Sequence, residues 1–443
     1  MATTYLTRTG ATPTTSNKYT FSCWVKRGSI GTTETIFRTY SDSNNSAQLI
    51  FDSDDTFAFQ DIIGGTTVTN LKPSNLFRDT GAWMNFIVQV DYTQAVAADR
   101  AKIFINGVEV SYSATTVQSQ NGASMLNTAN NNALGSNRSN SSHYFTGSMT
   151  HANFIDGTAY PASTFGEVDS TSGIWTAKTT PSVTYGNNGF FLKMENASAM
   201  GTDSSGESNT FTVSGSLTKN QDTPNNNFAT MNPLDNYYQN QTFTQGNNTV
   251  KSDNPSPVKS TLGVSSGKWY IEAKALSVVG SGSDYQIGII SSQVVGTQEL
   301  GHYSNDWSYY GASGSYRNND SFTSYGNSYT AGDIIGVAID LDNNKLYFSK
   351  NGTFQNSGDP TSGSTGTGAI SITTPSSTEL GAYFLGVGGN ANANKYNWNA
   401  NFGNGYFGTT PVSSAGTNAS GNGIFEYDVP TGYTALSTEG LNS

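Results

Sequence analysis

The sequence predicts an all-β protein built as two antiparallel β-sandwich (jelly-roll) domains joined by an irregular connector, and three observations carry that expectation. The 443 residues include 48 glycines and are only 12 % charged, so the long exposed faces that helices need are scarce. Aromatic residues make up 12 % of the chain, enough to build cores, which separates it from disordered polar sequences. Short runs rich in Thr, Tyr, Phe, Val and Ile recur between Gly- and Asn-rich breaks, the pattern of many short strands. At roughly 100 to 200 residues per domain the length allows two or three domains.

The first strand justified by alternation is Tyr19 to Val25, where Tyr19, Phe21, Cys23 and Val25 are apolar and Thr20 and Ser22 polar. Trp24 breaks the alternation and points to a second layer. Met84, Phe86, Val88 and Val90 repeat the period behind Trp83. Ile103 and Ile105 lead into Asn106-Gly107 and then Val108 and Val110, a hairpin signal, because a type I′ turn needs positive φ at both central residues. Residues 166–250 are rich in turn formers and read as a connector with a few strands, Phe190 to Met194 and Thr210 to Val213 among them. Strands resume with GKWYIEAKAL from Gly267, DYQIGII from Asp284, and GDIIGVAIDLDNNKLYFSKNG from Gly332, two strands around a turn at Asp342 to Asn344.

FSCWVKRGS (Phe21 to Ser29), WMNFIVQVDY (Trp83 to Tyr92), AKIFINGVEV (Ala101 to Val110) and FTGSMTHANFIDG (Phe145 to Gly157) resemble, in order and spacing, the landmarks of laminin-G-like, concanavalin A-like jelly rolls. The run from GKWYIE through DWSYYGASGSYRNN (Asp306 to Asn319) to GDIIGVAIDLDNNKLYFSKNG resembles a SPRY domain. Together these imply a jelly roll over 1–165, a connector over 166–235, a SPRY-like sandwich over 236–405 with variable loops as its partner-binding surface, and a tail over 406–443. DTPNNNFATMNPLD (Asp222 to Asp235) is similar to a segment of marine-phage structural proteins, with Ala229 where that family more often has Cys, and GIFEYDVPTGYTALSTEGL (Gly423 to Leu441) resembles the tail after SPRY units in phage proteins. No 20 to 50 residue repeat suggests a propeller or solenoid.

The net charge is −11 and no region carries a basic excess, which argues against nucleic acid and anionic membrane surfaces as partners. The longest apolar stretches, such as Ile334 to Ile339, fall far short of the roughly 18 residues of a membrane helix. The single cysteine, Cys23, excludes an intrachain disulfide and reads as a small buried apolar residue in a chain folded in a reducing cytoplasm. The N-terminus, MATTYLTR, lacks a basic start followed by an apolar stretch. An adhesin-like composition without an export signal points to a virus particle assembled in a bacterial cytoplasm.

Some jelly rolls are glycosidases, which use paired carboxylates roughly 5 Å apart. Glu167-Val-Asp169 comes nearest, but the third carboxylate of the Glu-x-Asp-x-x-Glu type is replaced by Ser or Thr, and a surface loop is the simpler reading. Asp340-Leu-Asp342-Asn343-Asn344 begins like a calcium loop, yet Lys345 stands where Gly is needed and Asn351 where Glu is needed, so a hairpin turn is the reading. Asp52, Asp54 and Asp55 read as a solvated turn in preference to a calcium site. His143, His151 and His302 are scattered and have no zinc spacing with one cysteine. No catalytic residue, metal or cofactor is expected. The candidate ligand-binding residues are Trp307, Tyr309, Tyr310, Tyr316 and Arg317, an aromatic group in a Gly-rich stretch suited to stacking on sugar C–H faces, with sandwich core as the alternative. The resulting expectation is a non-enzymatic phage virion protein, a tail fibre, tail tip or capsid appendage. Its partners are other virion proteins and a host-surface glycan or receptor, and it is a monomer or a symmetric trimer. The rivals are an architectural virion protein and a polysaccharide depolymerase on the same scaffold.

Overall fold

The computed structural model describes residues 4–137, 142–235, 241–252, 255–277, 285–293, 296–389 and 395–442. The chain divides into two compact units, Met1–Lys219 and Asn220–Ser443, each a β-sandwich.

In the first unit, an eight-stranded sheet runs in the order Tyr112–Thr116, Thr66–Pro73, Phe57–Ile63, Asn45–Phe51, Glu34–Asp42, Asn131–Leu134, Tyr5–Thr9, Thr212–Ser214. It faces a six-stranded sheet in the order Phe190–Leu192, Gly147–Asp156, Lys18–Arg27, Met84–Asp91, Ala101–Ile105, Val108–Glu109. Tyr19, Phe21, Cys23 and Val25 point into the shared core with Phe37, Phe59, Phe86 and Val88, where Phe21 stacks on Phe37 at 5.0 Å. The other face of Lys18–Arg27 is buried as well. Trp24 packs with Trp83, Trp175 and Ala177, and Thr20 donates to the Thr158 carbonyl, so a covering segment supplies the second layer that Trp24 signals. The Asn106-Gly107 turn has φ of 48° and 80°, as a type I′ hairpin requires.

The second unit pairs a nine-stranded sheet with a six-stranded one. The main path of the former is Thr242–Thr244, Thr249–Ser252, Tyr396–Asn401, Lys268–Ala275, Ile334–Asp340, Lys345–Lys350, Thr353–Phe354. The latter runs Val258–Val264, Tyr383–Gly389, Tyr285–Ile290, Trp307–Tyr310, Ser315–Asn318, Ser321–Ser324. Of the strand anticipated from Asp284, the described part begins at Tyr285; Asp284 lies outside the described residues, as does the anticipated domain start at 236.

The segment anticipated as a connector over 166–235 divides at Lys219. Phe190–Leu192 and Thr212–Ser214 join the two sheets of the first unit, pairing with Gly147–Asp156 and Tyr5–Thr9. Beyond the division, Phe228 and Met231 lie in the second core. The anticipated tail also belongs to that sandwich. Thr434–Ala435 pairs in parallel with Lys268–Ala275, and Phe425, Tyr433 and Leu436 are core residues. The buried Glu272 carboxylate clamps this segment by accepting the Glu426 and Tyr427 amides at 2.8 and 2.9 Å, and it takes a third bond from the Tyr270 hydroxyl.

Candidate functional site

The aromatic group singled out in the sequence falls on a meander at one edge of the six-stranded sheet: Trp307–Tyr310, Ser315–Asn318 and Ser321–Ser324. The Gly311–Gly314 loop and the Asn319-Asp320 turn, with φ of 50° and 60°, connect them. Because side chains alternate across a strand, the register decides which residues meet solvent. Tyr309 opposes Ile287 and Tyr316, while Ser308 opposes Arg317, which opposes Phe322. One face therefore carries Trp307, Tyr309 and Tyr316, and the other Ser308, Tyr310, Arg317 and Phe322.

This corrects the expected contact set. Trp307 is 5 % exposed and packs edge-on against Tyr383; Tyr309 is fully buried among Tyr325, Tyr329 and Phe348. Both are core, since Trp307 and Tyr309 share the inward parity of Ile287 and Ile289. Tyr316 is partly buried against the same core. Tyr310 and Arg317 stay on the outer face.

The residue missed is Phe322. It is 50 % exposed, its ring lies 5.3 Å from that of Tyr310, and the Arg317 guanidinium sits 5.4 Å from its centroid. The only signal for it was a lone aromatic in the polar strand Ser-Phe-Thr-Ser directly after a turn. Arg317 is fixed by Glu299 and Asp320, the latter at 2.6 Å, and Gln286 donates to Glu299 at 3.2 Å. His302 Nδ1 lies 2.8 Å from Asp320. Burial opposes ionisation of Asp320, but the hydrogen bonds and charges of His302 and Arg317 outweigh it and hold the carboxyl below its usual range. The guanidinium is neutralised within the protein, so the surface offers two rings, a planar cation already paired, and Ser315 and Ser324, which share the outer parity of Arg317 and Phe322. Such a surface can stack on a ligand's C–H face and exchange hydrogen bonds around it.

The other sequence candidates do not converge. Glu167 pairs with Lys178 at 3.7 Å on an exposed hairpin, and Asp169 accepts the Thr171 and Ser172 amides of its own turn. Asp52 and Asp54 share Lys72 at 3.1 and 3.2 Å, and Asp55 accepts from Arg27, Arg78 and the Gly31 amide. Asp340 holds its hairpin through Asn343 and pairs with Lys268, while Asp342 accepts the Gly267 amide. Asn344 takes φ 54° in that turn. His143 lies beside Asn137, His151 beside Thr150, and His302 in the network above. Cys23 is buried in the first core, where desolvation raises its thiol far above the ordinary range.

Fold and surface together define a chain of two tandem antiparallel sandwiches with an aromatic outer patch. Residues 2–162 match the concanavalin A-like lectin/glucanases superfamily, and residues 268–369 match the SPRY domain. The first unit is thus concanavalin A-like and the second SPRY-like. Two solved structures are similar at 16 % identity. The SPRY domain of human HERC1 matches over 34 % of this chain and 86 % of its own, with a TM-score of 0.25. Stonustoxin matches over 39 % of this chain and 27 % of its own, with a TM-score of 0.29. No curated protein matches the chain. Domains of these two kinds are consistent with a binding role.

Proposed function

We propose that this chain is a non-enzymatic virion protein, a tail fibre, tail tip or capsid appendage, whose SPRY-like unit binds a host-surface glycan or receptor. The observation that carries the binding role is the Tyr310–Phe322 pair: two partly or half-exposed rings, with Arg317 over the Phe322 ring and Ser315 and Ser324 on the same face. The setting on a phage particle is supported by the resemblance of Asp222 to Asp235 and Gly423 to Leu441 to phage structural segments. Single-site affinity from so small a platform is weak, and many copies on one particle raise it through effective concentration.

A fluorescent full-length chain applied to a panel of bacterial-envelope glycans and to host cells tests the reading. Binding should fall about tenfold or more in Phe322→Ala, the loss of one stacking face. Binding by neither glycans nor cells, or binding indifferent to that substitution, would overturn the assignment. An architectural reading has one observation in its favour: Ser321–Ser324 is a sheet-edge strand with all four residues exposed, able to add a strand from a neighbouring virion protein. Cryo-electron microscopy of the particle separates the two, since adhesion requires this edge to face outward.

A further inference from the structure

A cleft of about 590 Å³ opens in the second unit where the turn 263–268 and Asp342 meet the C-terminal segment around 419–420, 432–434 and 440–441. Its volume lies within the roughly 300–1,000 Å³ of small-ligand sites. It shares no residue with the Tyr310–Phe322 surface. Of the strands that line it, the one in the six-stranded sheet, Val258–Val264, is at the opposite edge of that sheet from Ser321–Ser324.

The chemistry of the walls narrows the ligand. Ser265 and Ser266 contribute hydroxyls, while the Ser420 hydroxyl is donated to Asn418 Oδ1 at 2.7 Å and Thr434 Oγ1 accepts from Asn422 at 3.0 Å. At Gly432, φ is +87° and a Cβ would meet nothing within 4 Å, so the main chain there is open to the cleft. Trp269 and Tyr433 line the cleft as aromatic carbon while remaining almost wholly buried, and the indole N–H of Trp269 is already donated to the Ser266 carbonyl at 2.7 Å. Lys268 is balanced by Asp340 at 3.1 Å and lies over the Tyr433 ring, 5.9 Å from its centroid. Asp342, also in the wall, has one oxygen on the Gly267 amide at 2.9 Å. The local balance is therefore one negative charge, which disfavours anions, while the Ser265 and Ser266 hydroxyls, main-chain groups and the Asp342 carboxylate suit a ligand that both donates and accepts around a compact apolar ring.

We propose that this cleft is a second ligand site, taking a neutral saccharide unit between the 263–268 turn and the C-terminal segment. Occupancy would brace the C-terminal segment against the strand Lys268–Ala275, because the ligand touches both.

The full chain labelled with 5-fluorotryptophan has six reporter positions, and Trp269→Phe assigns the one in the cleft. Titration with a panel of neutral mono- and disaccharides should shift the Trp269 resonance saturably, with a Kd on the order of 1–10 mM. Ser265→Tyr, an exposed position whose enlarged side chain fills the cleft, should weaken that response about tenfold or more; Asp342→Asn, which retains an acceptor for the Gly267 amide, should weaken it less. Phe322→Ala should leave it unchanged, which keeps this site distinguishable from the outer aromatic surface. A Trp269 resonance unmoved by every saccharide, or a saturable shift that survives Ser265→Tyr intact, would overturn the proposal.

Discussion

Truncating Tyr309 to alanine removes a ring packed against Tyr325, Tyr329 and Phe348, and the expected loss is about 3–5 kcal/mol of stability in urea unfolding, as for other buried aromatics. Phe322→Ala, at a half-exposed position, should cost under about 1 kcal/mol while removing the contact surface. A Tyr309→Ala chain that unfolds like the parent would contradict the inward parity assigned to that strand. Arg27 presents a different kind of residue-scale dependence. It is fully buried between Glu34 and Asp55, donates to the Phe77 carbonyl at 2.6 Å and sits 4.4 Å above the Phe51 ring. Replacing it with alanine leaves two carboxylates without their buried cation, and a destabilisation of about 3–5 kcal/mol is expected from the same urea measurement. A loss below 1 kcal/mol would show that water takes over the role of the guanidinium.

At the scale of elements, Gly314 decides whether the meander closes. Its φ is +72°, and a Cβ there would lie 2.3 Å from the Gly326 carbonyl oxygen. Gly314→Ala should therefore disturb the loop between Trp307–Tyr310 and Ser315–Asn318, and faster proteolysis within 311–330 would report it; an unchanged digestion pattern would argue against that close approach. The long strands and tight turns were legible in the sequence because their signals are local. The alternation from Tyr19 to Val25 and the Asn106-Gly107 hairpin each sit within a few residues of chain. Phe190–Leu192 and Thr212–Ser214 were legible as short strands but their partners were not, and Thr434–Ala435 was not anticipated at all, since two- or three-residue strands pair with partners 36 to 209 positions away and have no periodicity of their own. The same reason misassigned the C-terminal segment as a tail: its core residues are isolated aromatics among glycines. Ending the chain after Gly405 should thus abolish the second sandwich, removing Phe425, Tyr433 and Leu436 from its core and the two amides from Glu272. Circular dichroism showing an intact second unit in that truncation would refute this. For the candidate site, composition located the right stretch of chain, but only the register distinguished Tyr310 and Phe322 from Trp307 and Tyr309.

Over the whole molecule, buried carboxyl groups set the pH dependence of stability. Burial raises Glu272 to about 7, with Glu426 adding repulsion against the amides of Glu426 and Tyr427 and the Tyr270 hydroxyl; burial likewise raises Asp306 and Asp61 to about 6 against their hydrogen-bond donors. Between the ordinary carboxyl range and these values the folded chain holds protons that the unfolded chain has released, so stability falls as pH rises from about 4 to about 7. His151, lowered first by burial and then by Lys193, acts in the opposite sense as a single group. Below pH 4 the order reverses, because exposed turn carboxylates such as Asp54, held to about 2 by the Thr56 hydroxyl and amide, lose their hydrogen bonds on protonation. The optimum should therefore lie near pH 4 to 5, more acidic than the usual range of about 5 to 8. Calorimetric Tm values from pH 3.5 to 8 should trace that maximum, and Glu272→Gln, which keeps the side chain's volume without its titration, should flatten the decline between pH 5 and 7 in the transition of the second unit. A Tm that climbs steadily from pH 4 to 7, or a decline that Glu272→Gln leaves as steep, would mean that the clamp on the C-terminal segment carries its charge without cost.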